Sequence, residues 1–158
     1  MNGMSVHHSS EKMDWATPID FFERLDSEFE FELDVCAGES NKKCCHYIGL
    51  PDNGLVIDWM YFGVPAICWM NPPYGREIGK WMKKAYEESQ KGCTVVFLVP
   101  SRTDTKWWHD WAMKADEIRL IKGRLTFEGA PSPAPFPSAV VIFRPTSYHT
   151  RFVTMEAK

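Results

Sequence analysis

Ala66-Ile67-Cys68-Trp69-Met70-Asn71-Pro72-Pro73-Tyr74-Gly75 is the stretch around which the chain is organised. Ala66 to Met70 is short, apolar and uncharged, which predicts a buried strand. Two prolines remove two backbone donors and fix two φ angles, so the strand stops at Asn71 in a stiff, extended turn. Such a turn holds acceptors in fixed positions. The Asn71 amide oxygen and the Pro72 carbonyl can both face one external NH2 group, with the Tyr74 ring beside them as a stacking surface. Two accepted hydrogen bonds pull the lone pair of a ring-conjugated amine back towards its nitrogen. The plain alternative is a Pro-rich turn, with Asn as turn former and Tyr as a packing residue.

Upstream, Thr17 reads as an N-cap, Pro18 as the first helical position and Asp20 as a first-turn acid. Ile19, Phe22, Leu25 and Phe29 then give the stripe of a helix ending near residue 29. Residues 31–36 alternate and form the first core strand, followed by a loop over 37–41. Residues 42–62 carry a weaker pattern, with a short strand near 46–49 and a turn at 51–54.

Downstream, Ile78, Trp81, Met82 and Ala85 mark a second helix, ended by Gly92. Residues 94–100 are continuously apolar, as in a strand covered on both faces of a parallel sheet. Asp104 or Thr105 caps a third helix bearing Trp108, Trp111, Ala112 and Ala115. Final strands are expected at 118–122, 125–128 and 139–144, with a stiff Pro-rich loop over 130–137. This order predicts an α/β fold, a doubly wound and mostly parallel sheet with an antiparallel final strand. Residues 1–13 are expected as a flexible tail and 14–158 as one domain. Ligands of such sheets bind at the carboxyl ends of the strands, where residues 34–37, 71–74 and 100–102 all fall. One cleft is implied.

The 158 residues suffice for one well-filled core, and 44% hydrophobic with 25% charged residues is ordinary for a globular protein. No run is long enough to span a bilayer and residues 1–12 lack a signal-peptide stretch, so a cytoplasmic protein is expected, with no membrane partner. A net charge of −3 argues against holding nucleic acid by bulk charge. Five cysteines do not suggest a disulfide framework. Cys36, Cys44, Cys45 and His46 cluster, but without the paired spacing of a zinc site, so buried thiols and no metal are expected.

Asn71 to Tyr74 resembles the catalytic motif of amino-group methyltransferases that use S-adenosylmethionine, enzymes acting on adenine N6, cytosine N4 or protein glutamine. That donor needs a tight loop after the first strand and acceptors for its ammonium and ribose. Asp34 and the Ala37-Gly38 turn are suitably placed; a strand ending in a solvated loop is the alternative. The segment Trp15-Ala16-Thr17-Pro18 could close over the donor. Asn53 and Asp58 are candidates for its adenine, beside plain roles as a turn residue and a surface acid.

A longer ordered set sharpens the resemblance. It runs Trp15-x-Thr-Pro, Asp34-Val-Cys-Ala, Asn41, Cys44, Tyr47, Gly54-Leu55, Trp59 and Asn71-Pro-Pro-Tyr-Gly. Pro100-x-Arg-x-Asp-Thr-x-Trp-Trp-His109, Gly123-Arg-Leu-x-Phe127 and Ala134-Pro-Phe-Pro-Ser138 follow. From about Trp15 to Phe143 the chain resembles the phage-type DNA N6-adenine methyltransferases. The resemblance implies a Rossmann-like class I methyltransferase fold, S-adenosylmethionine as cofactor without a metal, and DNA as partner. If the chain is phage-encoded, its location is the host bacterial cytoplasm.

It further implies that Trp15, Thr17, Pro18, Asp34 and Ala37 hold the donor, and that Asn71, Pro72, Pro73 and Tyr74 hold a flipped adenine. Arg102 is the expected phosphate contact, with Lys106 beside it and Phe136 entering the DNA or covering the base. Arg76, Lys80, Lys83 and Lys84 are further basic residues after Tyr74, a solvated helix face being the usual reason for such a run. One departure is that only Gly38 stands where many methyltransferases have Gly-x-Gly. No separate recognition domain is expected within these 158 residues, so loops are expected to read the DNA word. A cytosine N4 or protein-glutamine methyltransferase, or a binding module without turnover, are the rival readings.

Overall fold

Residues 94–100 and 138–143 carry no charge, and nearly every one of them is buried in the computed structural model, which describes residues 15–146 and 149–158. The expected tail over 1–13 lies outside the described residues. The helix α1 spans Ile19–Phe29, followed by the strand β1 at Leu33–Asp34. A small hairpin, β2 at Met60–Tyr61 and β3 at Val64–Pro65, precedes β4 at Ile67–Met70. Then come α2 (Ile78–Gln90), β5 (Thr94–Pro100), α3 (Lys106–Asp110) and a single 3-10 turn at Ala112–Lys114. The chain ends in β6 (Glu117–Lys122), β7 (Ser138–Phe143) and β8 (Arg151–Glu156).

The main sheet has the order β1-β4-β5-β7-β6-β8. β1, β4 and β5 are parallel, and β7 runs antiparallel to both of its neighbours. β8 is parallel to β6, so five strands point one way and β7 alone is reversed. Side chains alternate between the faces of a strand. Trp69 therefore meets Phe22 of α1 on one face, while Cys68 on the other lies beside Cys93 and near Glu88 of α2. This is the expected Rossmann-like, mostly parallel sheet with helices on both faces.

Several details differ from the sequence pattern: α3 stops at Asp110, leaving Trp111, Ala112 and Ala115 beyond it, and in place of a strand near 46–49 there is a single bridge from Tyr47 to Asp34. Thr17 does not cap α1; the N-cap position is Pro18 and no side chain bonds there. The stripe of α1 is Phe21, Phe22 and Leu25, with Ile19 turned out at 53% exposure. Residues 125–128 form no strand. Leu125 and Phe127 alternate with exposed neighbours because they pack into the core from a loop, where the Leu125 carbonyl accepts the Ala134 N–H at 2.8 Å. The reversed strand at 139–144 is present, but β8 follows it as an edge strand whose half-exposed alternation was too weak to read.

The loop after residue 48 reaches the sheet through close backbone contact. A Cβ at Gly54 would stand 2.3 Å from the Val35 carbonyl oxygen and 3.1 Å from the Trp81 ring. The Gly54 carbonyl accepts the Trp59 indole N–H at 2.8 Å, and the Trp59 backbone N–H donates to Glu88 of α2 at 3.1 Å. Glycine is needed at position 54 for space. Gly54→Ala is expected to cost about 1–3 kcal/mol of stability, the range for overpacking a tight site. Denaturant unfolding checks this; an unchanged midpoint would show that the loop relaxes freely.

Candidate active site

At the carboxyl ends of β1 and β4 lies a cavity of about 510 Å³. That volume suits a small organic molecule. Trp15, Ala16 and Thr17 form one wall, Asp34 to Ala37 with Asn41 and Lys43 a second, and residues 48–54 a third. Trp69, Asn71, Pro73 and Trp81 complete the lining. Of the stretches that the sequence placed at one cleft, residues 34–37 meet Asn71 and Pro73 here, whereas Pro72, Tyr74 and residues 100–102 are not part of the lining.

Asn71 follows the last residue of β4, where Pro72 ends the ladder. Its Nδ2 donates to the Trp15 carbonyl at 2.6 Å and to the Thr17 hydroxyl at 2.8 Å. A backbone carbonyl can only accept, so the nitrogen must lie on that side and the amide orientation is set. Its Oδ1 is left buried without a partner among the described residues. Ser138 Oγ is in the same condition, opposite Pro100 at the end of β5. Buried polar atoms are seldom left unpaired, and both of these sit at the same end of the sheet.

Asp34 closes the second wall. Its carboxylate accepts the N–H of Cys36 at 3.3 Å and of Lys43 at 3.0 Å, folding the loop back over the strand end. Burial pushes its pKa up to about 6, against those two N–H bonds and the Lys43 charge, which favour the anion. The Ala37 N–H donates to the Ile48 carbonyl at 3.1 Å, so the single-glycine loop is ordered by pairing with the next segment.

Aromatic rings close the far side of Asn71. Trp15 lies 5.2 Å from Phe127 and 5.3 Å from Phe136, and Tyr74 lies 5.8 Å from Phe136. Tyr74 is only 8% exposed, its hydroxyl donating to the Leu98 carbonyl at 3.3 Å. Burial holds the phenol well above its ordinary pKa, so it stays neutral.

Of the residues expected to hold a donor, Trp15, Thr17, Asp34, Ala37 and Asn53 line the cavity. Pro18 serves as the α1 cap position instead, and Asp58 is not part of the lining. The Asp58 carboxylate pairs with Lys91 at 2.6 Å, a surface ion pair beside buried Glu88. Asn41, Lys43, Asp52 and Trp81 line the cavity without having been singled out for it. Asn41 was legible only as part of the ordered motif set, and Trp81 read as helix core.

Arg102 is exposed, its side chain without an ion pair among the described residues. Lys106 pairs with Asp110 one turn along α3. Lys80, Lys83 and Lys84 are each matched by a glutamate, Glu77, Glu87 and Glu88 respectively, so α2 offers no unpaired lysine row. No group of three or more metal-ligating side chains occurs among the described residues, and no helix there is long and apolar enough to cross a membrane.

A mostly parallel sheet with one reversed inner strand, and a small-molecule cavity at its carboxyl ends, define a Rossmann-like protein of the class I methyltransferase type. Over residues 4–157 the chain matches the family described as DNA N-6-adenine-methyltransferase (Dam), and it belongs to that family. It is 34% identical over 114 residues to the DNA N-6-adenine-methyltransferase of Haemophilus phage HP1 (strain HP1c1), a match covering 71% of this chain and 64% of that protein. It is 31% identical over 113 residues to the protein of the same description from Escherichia phage T1, covering 71% of this chain and 46% of that one. The match therefore spans less than two thirds of either relative.

Asn71→Asp tests the amide assignment. A carboxylate cannot donate to the Trp15 carbonyl, so two acceptors would face each other. A loss of about 1–3 kcal/mol is expected at neutral pH, shrinking as acid protonates the new carboxyl and restores a donor. Thermal unfolding across pH measures this; equal stability at all pH values would place the amide the other way round.

Proposed function

We propose that this chain transfers a methyl group from S-adenosylmethionine to the N6 amine of adenine in DNA. The observation that carries the reading is the buried, unpartnered Asn71 Oδ1 on an amide whose nitrogen is already committed. Such an oxygen suits an incoming N–H donor. Membership of the adenine-specific family favours adenine over cytosine or glutamine as the bearer of that amine.

When bound, S-adenosylmethionine supplies an electrophilic methyl group on a sulfonium. Trp15, Asp34, Ala37 and Asn53 are the residues that would hold it, within a cavity of suitable size. Asn71 Oδ1 and the Pro72 carbonyl accept the two N–H bonds of the target amine, drawing its lone pair out of conjugation. An amide is no base near neutral pH, so these groups work by orientation and by stabilising the positive charge that develops on nitrogen. The proton leaves to water.

In duplex DNA the adenine must be flipped to reach Asn71. In this arrangement the Tyr74 ring has no free face for it, so stacking requires Phe136 and its loop to give way. Arg102 is the residue we assign to a phosphate of the backbone. With a net charge of −3, such local groups rather than bulk charge hold the DNA.

Asn71→Ala is expected to lower methyl transfer about a hundredfold, the effect of removing one oriented group from a preorganised site. Tritiated donor with adenine-containing DNA reads the rate, and calorimetry should find donor affinity nearly unchanged. Activity close to normal would remove Asn71 from the chemistry.

Asp34 gives a pH dependence with a definite sign. Its raised pKa means that protonation stabilises the free fold; this stability is fully present below about pH 4 and lost as pH rises through about 6. The cationic donor needs the carboxylate, so its affinity should be constant above about pH 6 and fall about tenfold per unit below it. Asp34→Asn should abolish that slope. A slope that survives in the variant would assign it to another group.

A further inference from the structure

We propose that Thr17 is a positioning residue for Asn71, its hydroxyl locking the amide so that Oδ1 stays available to an incoming donor. This rests on reading Asn71 as the acceptor for the target amine. An asparagine amide can present either end, and two neighbours decide which. The Trp15 carbonyl, 2.6 Å from Nδ2, sets the direction, because a reversed amide would press oxygen against oxygen. The Thr17 hydroxyl, 2.8 Å away, takes the second N–H and fixes the amide plane. Both donors of the amide are then used on one side, and Oδ1 is left alone on the other.

Thr17 is not spent as a helix cap. It is 1% exposed, and no side chain caps α1, although the sequence places Thr17 where a cap would stand. The segment carrying it cannot drift. The Ala16 carbonyl accepts the Glu128 N–H at 2.9 Å, and the Trp15 ring is lodged between Phe127 and Phe136. The segment bearing the hydroxyl is therefore held by the loop after β6, and the hydroxyl itself meets the strand-end amide. A threonine of the cavity lining thus acts through its neighbour.

The test compares Thr17→Val, nearly isosteric but without an acceptor, with Thr17→Ser, which keeps the hydroxyl. In ¹⁵N-labelled protein free of ligand, the Asn71 side-chain NH2 signals are identified by their loss in Asn71→Ala. Thr17→Val should shift or broaden them, and Thr17→Ser should restore them. With donor and DNA, Thr17→Val should lower kcat about tenfold while KM for the donor changes by less than about twofold, again restored by serine. If the valine variant does not fold, Thr17→Ala against Thr17→Ser makes the same comparison.

NH2 signals unmoved in Thr17→Val would overturn the proposal whatever the activity, since that measurement needs neither donor nor DNA. Signals that move as expected in a protein that transfers no methyl to adenine would support the positioning role and overturn the methyl-transfer reading instead. A fall in donor affinity with unchanged kcat would return Thr17 to the donor site and overturn the proposal.

Discussion

The site hangs on one side-chain amide. Asn71 Nδ2 binds two acceptors from the segment before α1, and those two bonds tie the end of β4 to the segment that forms one cavity wall. The partners are 54 and 56 residues away in sequence. Nothing local would hold the amide there, because the prolines that follow remove the backbone donors a turn would ordinarily use. The stiffness of the turn places the amide, and the distant segment orients it.

The parts of the fold that follow from one strong periodicity were legible. The apolar run of β5, the stripe Ile78, Trp81, Met82 and Ala85 on α2, and the proline stop after β4 are each imposed by burial or by lost donors, so pattern and structure agree. The misses arose where two physical causes leave the same mark. Alternation at 125–128 comes from core packing without a ladder, and Thr17 before a Pro-led helix looks like a cap although its hydroxyl is bound to Asn71. The hairpin β2–β3 has exposed Met60, Phe62 and Val64, an apolar composition that says nothing of pairing or of what lies against it.

For the site, residue types and their order placed residues 15–17, 34–37 and 71–73 at one end of the sheet, and Asp34, Ala37, Asn53 and Asn71 line one cavity there. What could not be read was the division of labour inside it. Asp58 was a candidate because it is an acid in the right part of the chain, yet Lys91 on the end of α2 claims its carboxylate. Tyr74 was expected as an open stacking surface, but Phe127 and Phe136 from the distant loop cover it. Such pairings depend on contacts between residues 33 to 62 positions apart, and no local pattern encodes them.

The reversal of β7 has a consequence for how this scaffold can diversify. β6 ends, and β7 begins, at the same edge of the molecule as the cavity, so the whole connection from residue 123 to 137 is delivered there and none of it is spent crossing the sheet. Within that connection Phe127 and Phe136 are anchored against Trp15, while residues 129–133 between them are largely exposed. Doubling such a loop costs only about 0.6 kcal/mol of closure entropy. Insertions at its tip would leave every strand pair and both anchoring rings untouched. The tip is thus a place where length and composition can drift freely, and a new contact surface can be grafted beside the cavity without renegotiating the fold.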